Sequence, residues 1–376
     1  MTALARVSRA GGIVDRVAGM VPWMQQRAGR LDDEAAFPTE EIAALRDAGM
    51  LTLPLPAEHA ARTDEVQALA DRLADVLMRI GEGNLAVGRI IEAHFNARHL
   101  IARYGSAGQR ARAAQDVREG HLFALWVTDP PQNGLRMPRM HDGLRLDGGK
   151  QFCSAAGHAT RALVTAMDET GESYMLVMTL GQGERVRPLE SPLQGMRAAV
   201  TGAVDFSGCT ADRESCLGGP GDYLREPDFS GGAWRSSAVA AGGLRSLIEL
   251  TTGQLAAAGR LDDGHHLQRM GNAMIADETS YLWVREAART VEDPRAEPSH
   301  AVAYAGLARI AIESACLDAM RLLQRSLGLS AFRHGNPVER ICRDLATYLR
   351  QPAPDAVLTE AAAWFAHRSI SMADRA

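Results

Sequence analysis

The segment ERICRDLATYLRQPAPD, residues 339–355, concentrates side chains that could transfer protons or bind charges. Its acidic and basic residues between 339 and 344 are spaced by three and four positions, which indicates a helix with ordinary salt bridges along one face. Pro352 and Pro354 predict that this helix ends before them. In the preceding loop FRHGNP, His334 carries the side chain best suited to proton transfer near neutral pH. His334 is therefore a candidate catalytic residue, and its alternative interpretation is a solvated loop histidine.

Signatures of several other chemistries are absent from the sequence. It contains no GxSxG elbow, no HExxH pair and no GxxxxGK[ST] phosphate loop. The five cysteines are scattered without a CxxC pair, which argues against a disulfide framework and against a zinc site. We therefore expect no metal centre and reduced thiols, as in a cytoplasmic protein.

Composition narrows the possible partners. The chain has 376 residues, and its net charge of −5 gives no electrostatic reason to expect nucleic acid. No segment approaches the 18 or more apolar residues of a membrane span, and the N-terminus does not read as a signal peptide. We therefore expect neither nucleic acid nor membrane as a partner.

The hydrophobic period changes twice along the chain and divides it into three parts. Helical spacing, as in TDEVQALADRLADVLMRIGEG, predicts a helical domain over residues 1–120. Short apolar runs separated by turns predict a β domain over residues 121–230, with a hairpin at Gly148–Gly149. Three long helical segments rich in small residues follow within residues 231–376. We therefore expect an α+β protein with an N-terminal helical domain, a central small β-barrel or sheet, and a C-terminal four-helix bundle.

Five motifs in this order resemble the acyl-CoA dehydrogenase family over essentially the whole chain. They are FPTEEIAALRDAGMLTLPLPAEHA, LWVTDPP, GGKQFCSAAGHATRALVTA, GMRAAVTGAVDFSG and QRSLGLSAFRHGNPVERICRD. The FCSAAG variant resembles a branch that includes flavin-dependent monooxygenases of the same fold. The resemblance implies FAD as the cofactor, held between the β domain and the bundle.

The resemblance also implies which residues of the β domain meet the flavin ring. Val127 would present a backbone N–H to the ring edge and Thr128 a hydroxyl. Ser154 would place a second hydroxyl near the reactive ring nitrogen. Such donors stabilise charge on a reduced flavin. The alternative interpretation of Thr128 and Ser154 is that they are ordinary strand residues.

Three further residues match positions that contact the dinucleotide across a subunit interface. Arg260 would bind phosphate, and Gln324 and Gly328 would lie along the cofactor. The resemblance therefore implies a homodimer or homotetramer. All three residues also suit helix ends without any ligand, because a basic residue complements the helix dipole and glycine is a common C-cap.

In most members of the family, a glutamate about eight residues after the R-D pair removes the α-proton of an acyl thioester. Counting from Arg343–Asp344 places Gln351 or Pro352 there, and neither can accept a proton. The start of the first bundle helix, GGAWRSS, supplies no carboxylate either. We expect the usual catalytic base to be absent, and Glu226 and Asp228 are among the nearby acids that could replace it.

Three functions remain open on this basis. The first is FAD-dependent α,β-desaturation of an acyl thioester, bound to CoA or to a carrier protein, with an electron-transfer flavoprotein as redox partner. The second is a flavin-dependent monooxygenase of the same fold, which needs no α-proton base. The third is a non-catalytic flavoprotein.

Overall fold

Helices form the first part of the chain. The structure is a computed structural model and describes residues 11–58, 63–140 and 143–368. The helices before the first strand are α1 (Ile13–Asp33), α2 (Thr39–Asp47), α3 (Thr63–Gly83), α4 (Leu85–Tyr104) and α5 (Ala107–Arg118). Asn84 caps α4, because its side chain accepts hydrogen bonds from the N–H groups of Ala86 and Val87. Most of α4 is buried, so this helix lies at the centre of the molecule.

Short strands form the middle of the chain. They are β1 (Phe123–Trp126), β2 (Arg139–Met140), β3 (Gly143–Arg145), β4 (Gly149–Cys153), β5 (Arg161–Met167), β6 (Ser173–Thr179), β7 (Arg185–Pro188), β8 (Gly202–Asp205), β9 (Thr210–Ala211) and β10 (Cys216–Leu217). They form sheets with the orders β1-β5-β6-β10, β2-β3-β9 and β4-β8-β7. The pair β5–β6 is a long antiparallel hairpin, formed by two apolar runs that flank the turn-rich ETGE segment.

The predicted hairpin at Gly148–Gly149 is wrong. β4 pairs with β8, whereas β3 pairs with β2 and β9. A Cβ atom on Gly148 would collide with the backbone of Gly134, and one on Gly149 would collide with the backbone of Val204. These glycines therefore allow close approach of neighbouring backbone, which a local pattern cannot distinguish from a turn.

Long helices form the last part of the chain. They are α6 (Asp228–Gly231), α7 (Ala233–Ala257), α8 (Gly264–Glu292), α9 (Pro298–Leu327), α10 (Pro337–Tyr348) and α11 (Pro354–Arg368). α7 packs closely on α3, and a Cβ atom on Gly242 would overlap the carbonyl oxygen of Met78. The predicted α+β class is confirmed, and one buried apolar cluster includes Val17, Trp126 and Val239 from the three parts.

Candidate functional site

The ends of β1 and β4 lie side by side. The N–H of Gln151 donates a hydrogen bond of 2.9 Å to the carbonyl oxygen of Thr128. The indole N–H of Trp126 donates one of 2.9 Å to the carbonyl oxygen of Ser154. The structure therefore brings together Val127, Thr128 and Ser154, which the sequence analysis placed at the flavin ring.

Several hydrogen-bond donors at this edge are free. Within the described part of the chain, no group accepts a hydrogen bond from the hydroxyls of Thr128 and Ser154 or from the N–H of Thr128. Ser154 is 6% exposed as a residue, and its unpaired hydroxyl is not fully buried, so Oγ can be reached from the surface. A free hydroxyl that can be reached at this edge can donate to a ligand acceptor.

Phe152 adds an aromatic surface next to these donors. Its side chain is 46% exposed, and its backbone has a φ of 54°, in the left-handed region. A large exposed aromatic residue on a strained backbone is a feature of binding sites. Flavin has acceptor atoms along the edge of a flat ring, so hydroxyl and N–H donors beside an exposed phenyl ring fit it. The sequence analysis did not assign Phe152, although the residue stands within the FCSAAG motif.

Lys150 holds the segment from Val127 to Asp129 in place. Its side chain is 1% exposed, and Nζ donates to Asp129 Oδ1 at 2.6 Å, Thr165 Oγ1 at 2.9 Å and the carbonyl oxygen of Val127 at 3.3 Å. These partners use all three ammonium protons. Burial lowers the pKa of Lys150, and its hydrogen bond to Asp129 opposes that effect. Sequence reasoning missed this role, for which the only signal was a lone lysine inside a strand.

The loop from Gly195 to Ala199 connects this edge to α10. The N–H of Ala155 donates to the carbonyl oxygen of Ala199 at 2.8 Å. The N–H of Met196 donates to Asp344 Oδ1 at 2.6 Å. A Cβ atom on Gly195 would collide with the carbonyl oxygen of Arg343, so the loop approaches α10 as closely as backbone allows. The β4 end and α10 are therefore coupled through one short loop.

The charged residues of α10 hold the fold together. As predicted, Arg343 pairs with Glu339 at 2.8 Å and Arg340 with Asp344 at 3.2 Å. Arg343 also binds Asp32 of α1 at 2.7 Å, and these hydrogen bonds to two carboxylates raise the pKa of Arg343. Burial raises the pKa of Asp344 to about 6. None of these groups is free to act on a substrate.

Gln351, one of the two residues that the count from Arg343–Asp344 predicts at the position of the base, lies between α10 and α11. Its side-chain N–H donates to the carbonyl oxygen of Tyr348 at 2.9 Å. From α9, Arg309 donates to the carbonyl oxygen of Pro352 at 2.7 Å, and Glu313 pairs with Arg350 at 3.3 Å. The predicted helix break before Pro352 is confirmed, and the segment is held by α9 without a free carboxylate.

The acids before α7 are engaged as well. Asp228 accepts a hydrogen bond of 2.8 Å from Tyr104 Oη and lies 2.9 Å from His99 Nε2. Burial alone would raise the pKa of Asp228, but the hydrogen bonds to His99 and Tyr104 help to hold that pKa well below its ordinary value. Glu226 accepts from the N–H of Ser230 at 3.0 Å and from its hydroxyl at 2.5 Å. Neither carboxylate is free to act as a base.

The remaining predicted site residues lie elsewhere. His334 is 76% exposed and lies 3.5 Å from Asp33 Oδ1, beside α1. Arg260 is exposed after α7, and Gly328 ends α9 with a φ of 61°. Gln324, in the last turn of α9, lies beside Cys342. Across the residues that the structure describes, no hydrogen bond or ion pair links these four to Thr128 or Ser154.

A buried histidine on α4 was also missed. His94 Nδ1 accepts a hydrogen bond of 3.1 Å from the N–H of Phe123, so the ring proton lies on Nε2, 3.0 Å from the carbonyl oxygen of Leu51. Burial lowers the pKa of His94 to about 3, and the charge of Arg98 contributes. His94 is therefore neutral and fastens the start of β1 to the helical core.

Comparisons with known proteins agree with this architecture. No family model matches the chain. FMN-bound TdsC from Paenibacillus sp. A11-2, described as a dibenzothiophene monooxygenase, aligns with a TM-score of 0.82 at 18% identity, over 95% of this chain and 97% of that one. Glutaryl-coenzyme A dehydrogenase, in complex with glutaryl-CoA, aligns with a TM-score of 0.80 at 19% identity, over 96% of each chain. The chain has the acyl-CoA dehydrogenase fold.

A curated relative extends this likeness to sequence. The mitochondrial short-chain specific acyl-CoA dehydrogenase of Rattus norvegicus is 25% identical over 208 residues, which is 52% of this chain and 49% of that protein. The match thus spans about half the length of the relative. Proteins with the acyl-CoA dehydrogenase fold in these comparisons include CoA-ester dehydrogenases and a monooxygenase, so the fold alone leaves the reaction open. No helix among the described ones is long and apolar enough to cross a bilayer.

Proposed function

We propose that the protein is a flavin-dependent oxidoreductase that acts as a monooxygenase on a small molecule. The observation that carries this proposal is that the segment between α10 and α11 has no free carboxylate. By the count from Arg343–Asp344, Gln351 or Pro352 would stand where desaturation needs a base, and Glu313, Asp344 and Asp228 are held in ion pairs. Abstraction of an α-proton requires a free base within hydrogen-bond reach. Oxygenation has no such requirement.

The residues of the β1 and β4 ends would hold the flavin ring. Thr128 would donate a hydrogen bond to the ring edge from its N–H or its hydroxyl, and Ser154 would donate from its hydroxyl. Phe152 would cover part of the ring, while Lys150 keeps the Thr128 segment in position. When bound, flavin supplies two-electron redox chemistry, and these donors would stabilise the charge of its reduced form.

FAD is the form of flavin that we propose, held between two copies of the chain. Among the described residues, no hydrogen bond or ion pair links Arg260, Gln324 or Gly328 to the Thr128 edge, which suits a role toward the dinucleotide of a neighbouring subunit. Leu329 and Phe332, which follow Gly328, are 81% and 60% exposed, as expected of residues that a second copy covers. We propose a homodimer or homotetramer. Free cysteines at all five positions support a reducing, cytoplasmic location.

Desaturation of an acyl thioester is the second candidate. The likeness to short-chain specific acyl-CoA dehydrogenases favours it, and it would bring an electron-transfer flavoprotein as redox partner. It needs a base that the segment around Gln351 does not supply. His334 is a poor replacement, because it is exposed and lies beside α1.

The test begins with protein purified without added cofactor. Its absorbance spectrum, together with mass spectrometry of the released cofactor, shows whether flavin is bound and whether it is FAD or FMN. We expect bound FAD that no short- or medium-chain acyl-CoA bleaches under anaerobic conditions, and chemically reduced protein that reacts rapidly with oxygen. Bleaching by an acyl-CoA would instead establish the second candidate. Bound flavin that no acyl-CoA bleaches and that does not react rapidly with oxygen when reduced would indicate a non-catalytic flavoprotein. A protein that binds neither FAD nor FMN would contradict all three flavoprotein functions.

A matched pair of variants tests the ring site. Ser154→Ala removes the free hydroxyl, and we expect flavin to bind roughly fivefold to tenfold more weakly, as for the loss of one hydrogen bond. Ser173→Ala on β6 removes a hydroxyl of the same size for which no hydrogen bond is found within the described chain. Flavin affinity that falls equally in both variants would argue against a contact of Ser154 with the ring.

A further inference from the structure

A groove separates α4 from α5 on the surface of the first helical part. Its volume is about 490 Å³, within the roughly 300–1,000 Å³ that sites for small molecules offer. The third wall is the segment that follows α2, which contributes Thr52, Pro54 and Glu58. In the described chain, every residue that lines the groove belongs to this segment or to the two helices. The groove is therefore distinct from the Thr128 edge.

Apolar side chains form much of the groove. Ile101 of α4 and Val117 of α5 are 2% and 4% exposed, so their side chains pack into the protein beneath it. Four alanines also line the groove, namely Ala102, Ala111, Ala113 and Ala114. Because alanine carries only a methyl group, the two helices lie side by side without filling the space. Such a surface suits the apolar body of a small ligand.

The groove carries an excess of positive charge. Arg98, Arg110 and Arg118 line it together with one carboxylate, Glu58, which leaves a net charge of +2. Glu58 Oε1 pairs with Arg98 Nη2 at 2.5 Å. Arg110 and Arg118 donate to a main-chain carbonyl and to a glutamine amide, and both of these acceptors are neutral. The surplus therefore lies on Arg110 and Arg118, in a chain whose overall net charge is −5.

Arg98 fixes the wall opposite α5. Its side chain is 8% exposed, and Nη1 donates to the carbonyl oxygens of Leu51 at 2.8 Å and Leu53 at 2.9 Å. These hydrogen bonds and the pair with Glu58 hold the segment that follows α2 against α4. The groove is thus formed by the fold itself, and a preformed site lowers the cost of binding.

The charge and the lining together select the ligand. Guanidinium groups bind carboxylates through parallel hydrogen bonds, and both Arg110 and Arg118 are exposed, so an anionic head can reach them from solvent. The alanines and Ile101 offer no hydrogen bond to a polar body. A molecule with one anionic head and an apolar body therefore matches the groove better than an ion or a sugar.

We propose that this groove binds an amphipathic carboxylate, a small organic acid whose apolar body lies between α4 and α5 and whose head pairs with Arg110 and Arg118. The site goes beyond the proposed function and does not depend on flavin, because its lining comes from helices α4 and α5 and the segment that follows α2.

Isothermal titration calorimetry of the full-length protein with octanoate tests the proposal. We expect one site per chain, and at least tenfold weaker binding of 1-octanol, which has the same chain length without the charge. Octanoate affinity should fall as salt is added, because the contact is an exposed ion pair. No binding at millimolar octanoate would overturn the proposal. Tighter binding of octyl phosphate than of octanoate would contradict the carboxylate head.

A matched set of variants locates the head. The double variant Arg110→Gln and Arg118→Gln should weaken octanoate binding roughly tenfold and leave 1-octanol binding unchanged. Arg112→Gln is the control, because Arg112 lies on the same helix, is 66% exposed, pairs with Glu214 at 3.1 Å and does not line the groove. Octanoate binding that is unchanged in the double variant, or that falls equally in Arg112→Gln, would overturn the proposal.

Filling the groove locates the body. Ala114→Phe places a ring among the lining residues and should abolish binding of both octanoate and 1-octanol. Ala107→Phe adds the same ring to an exposed position of α5 outside the lining and should change neither. Because both alanines are exposed, neither variant disturbs the core. Octanoate binding that survives Ala114→Phe would contradict a site between α4 and α5.

Discussion

Lys150 Nζ lies 3.3 Å from the carbonyl oxygen of Val127, on the peptide unit whose N–H belongs to Thr128. An ammonium group on the carbonyl side of a peptide polarises it and strengthens its N–H as a donor. Lys150 therefore acts on the candidate flavin edge without reaching it. It is a positioning residue in the proposed flavin site.

We expect Lys150→Met to weaken the proposed flavin site and the fold together. The free energy of unfolding should fall by about 2–4 kcal/mol, because the substitution leaves Asp129 and Thr165 without their buried partner. The reduction potential of bound flavin should become more negative, on the order of 30 mV for each 1.4 kcal/mol of lost stabilisation of the reduced form. Potentiometric titration of the holoprotein measures this shift.

Thr165→Val is the matched control for Lys150. It removes the hydrogen bond of Lys150 at 2.9 Å and the long one, of 3.4 Å, from Thr165 Oγ1 to the carbonyl oxygen of Val127, but it leaves the contact of Lys150 with Val127 in place. We expect it to lower stability and to move the flavin potential much less than Lys150→Met does. A potential that is unchanged in Lys150→Met, or changed equally in both variants, would show that Lys150 does not act through the Val127–Thr128 peptide.

His94→Gln should alter the pH dependence of stability. The pKa of His94 is about 3 in the folded protein and about 6.5 when unfolded, so the unfolded state binds more protons between these values. The contribution of neutral His94 to the free energy of unfolding is therefore fully present above pH 6.5 and is lost as the pH falls toward 3. The loss between pH 7 and pH 4 is on the order of 3 kcal/mol. The free energy of unfolding of His94→Gln should lie furthest below that of the wild type at pH 7, and the difference should become smaller in acid. Urea unfolding across this range measures it, with exposed His265→Gln as control.

Asp344→Asn should show the opposite dependence. Burial raises the pKa of Asp344 to about 6, above the ordinary value of 3.8, so the folded state binds more protons between these values. Its contribution to stability is therefore present below pH 3.8 and is lost as pH rises through 6, by about 2–3 kcal/mol. The free energy of unfolding of Asp344→Asn should lie furthest below that of the wild type near pH 4. The same unfolding series tests this, with Asp318→Asn, 73% exposed, as control. A deficit that does not change with pH would contradict the raised pKa.

The sequence predicts the helices and their order because their apolar periodicity is local. The motifs also place Thr128 and Ser154 on separate segments that the structure brings together.

The roles of Lys150 and His94 could not be read from sequence, because each depends on partners that only the folded chain supplies. The predicted hairpin at Gly148–Gly149 is wrong for the same reason. Those glycines make room for the backbone of Gly134 and Val204, which are distant in sequence.

The outer face of α8 makes the proposed oligomer testable. Leu267, Met274, Ile275 and Leu282 are 54%, 55%, 67% and 57% exposed. At about 100° per residue they fall within roughly one third of the helix circumference, so they form one apolar stripe. Such a stripe marks a protein contact more often than a solvated surface.

We expect the double substitution Met274→Asp and Ile275→Asp to convert the oligomer to a monomer at micromolar concentration, since a buried unpaired charge opposes association. Size-exclusion chromatography with light scattering measures the mass. Leu358→Asp on α11 is the control, because Leu358 is a single apolar residue that is 42% exposed. If Arg260, Gln324 and Gly328 serve the cofactor of a neighbouring subunit, the dissociated protein should also release its flavin. A monomer that retains flavin would place the whole cofactor site within one chain, and an unchanged mass would remove α8 from the interface.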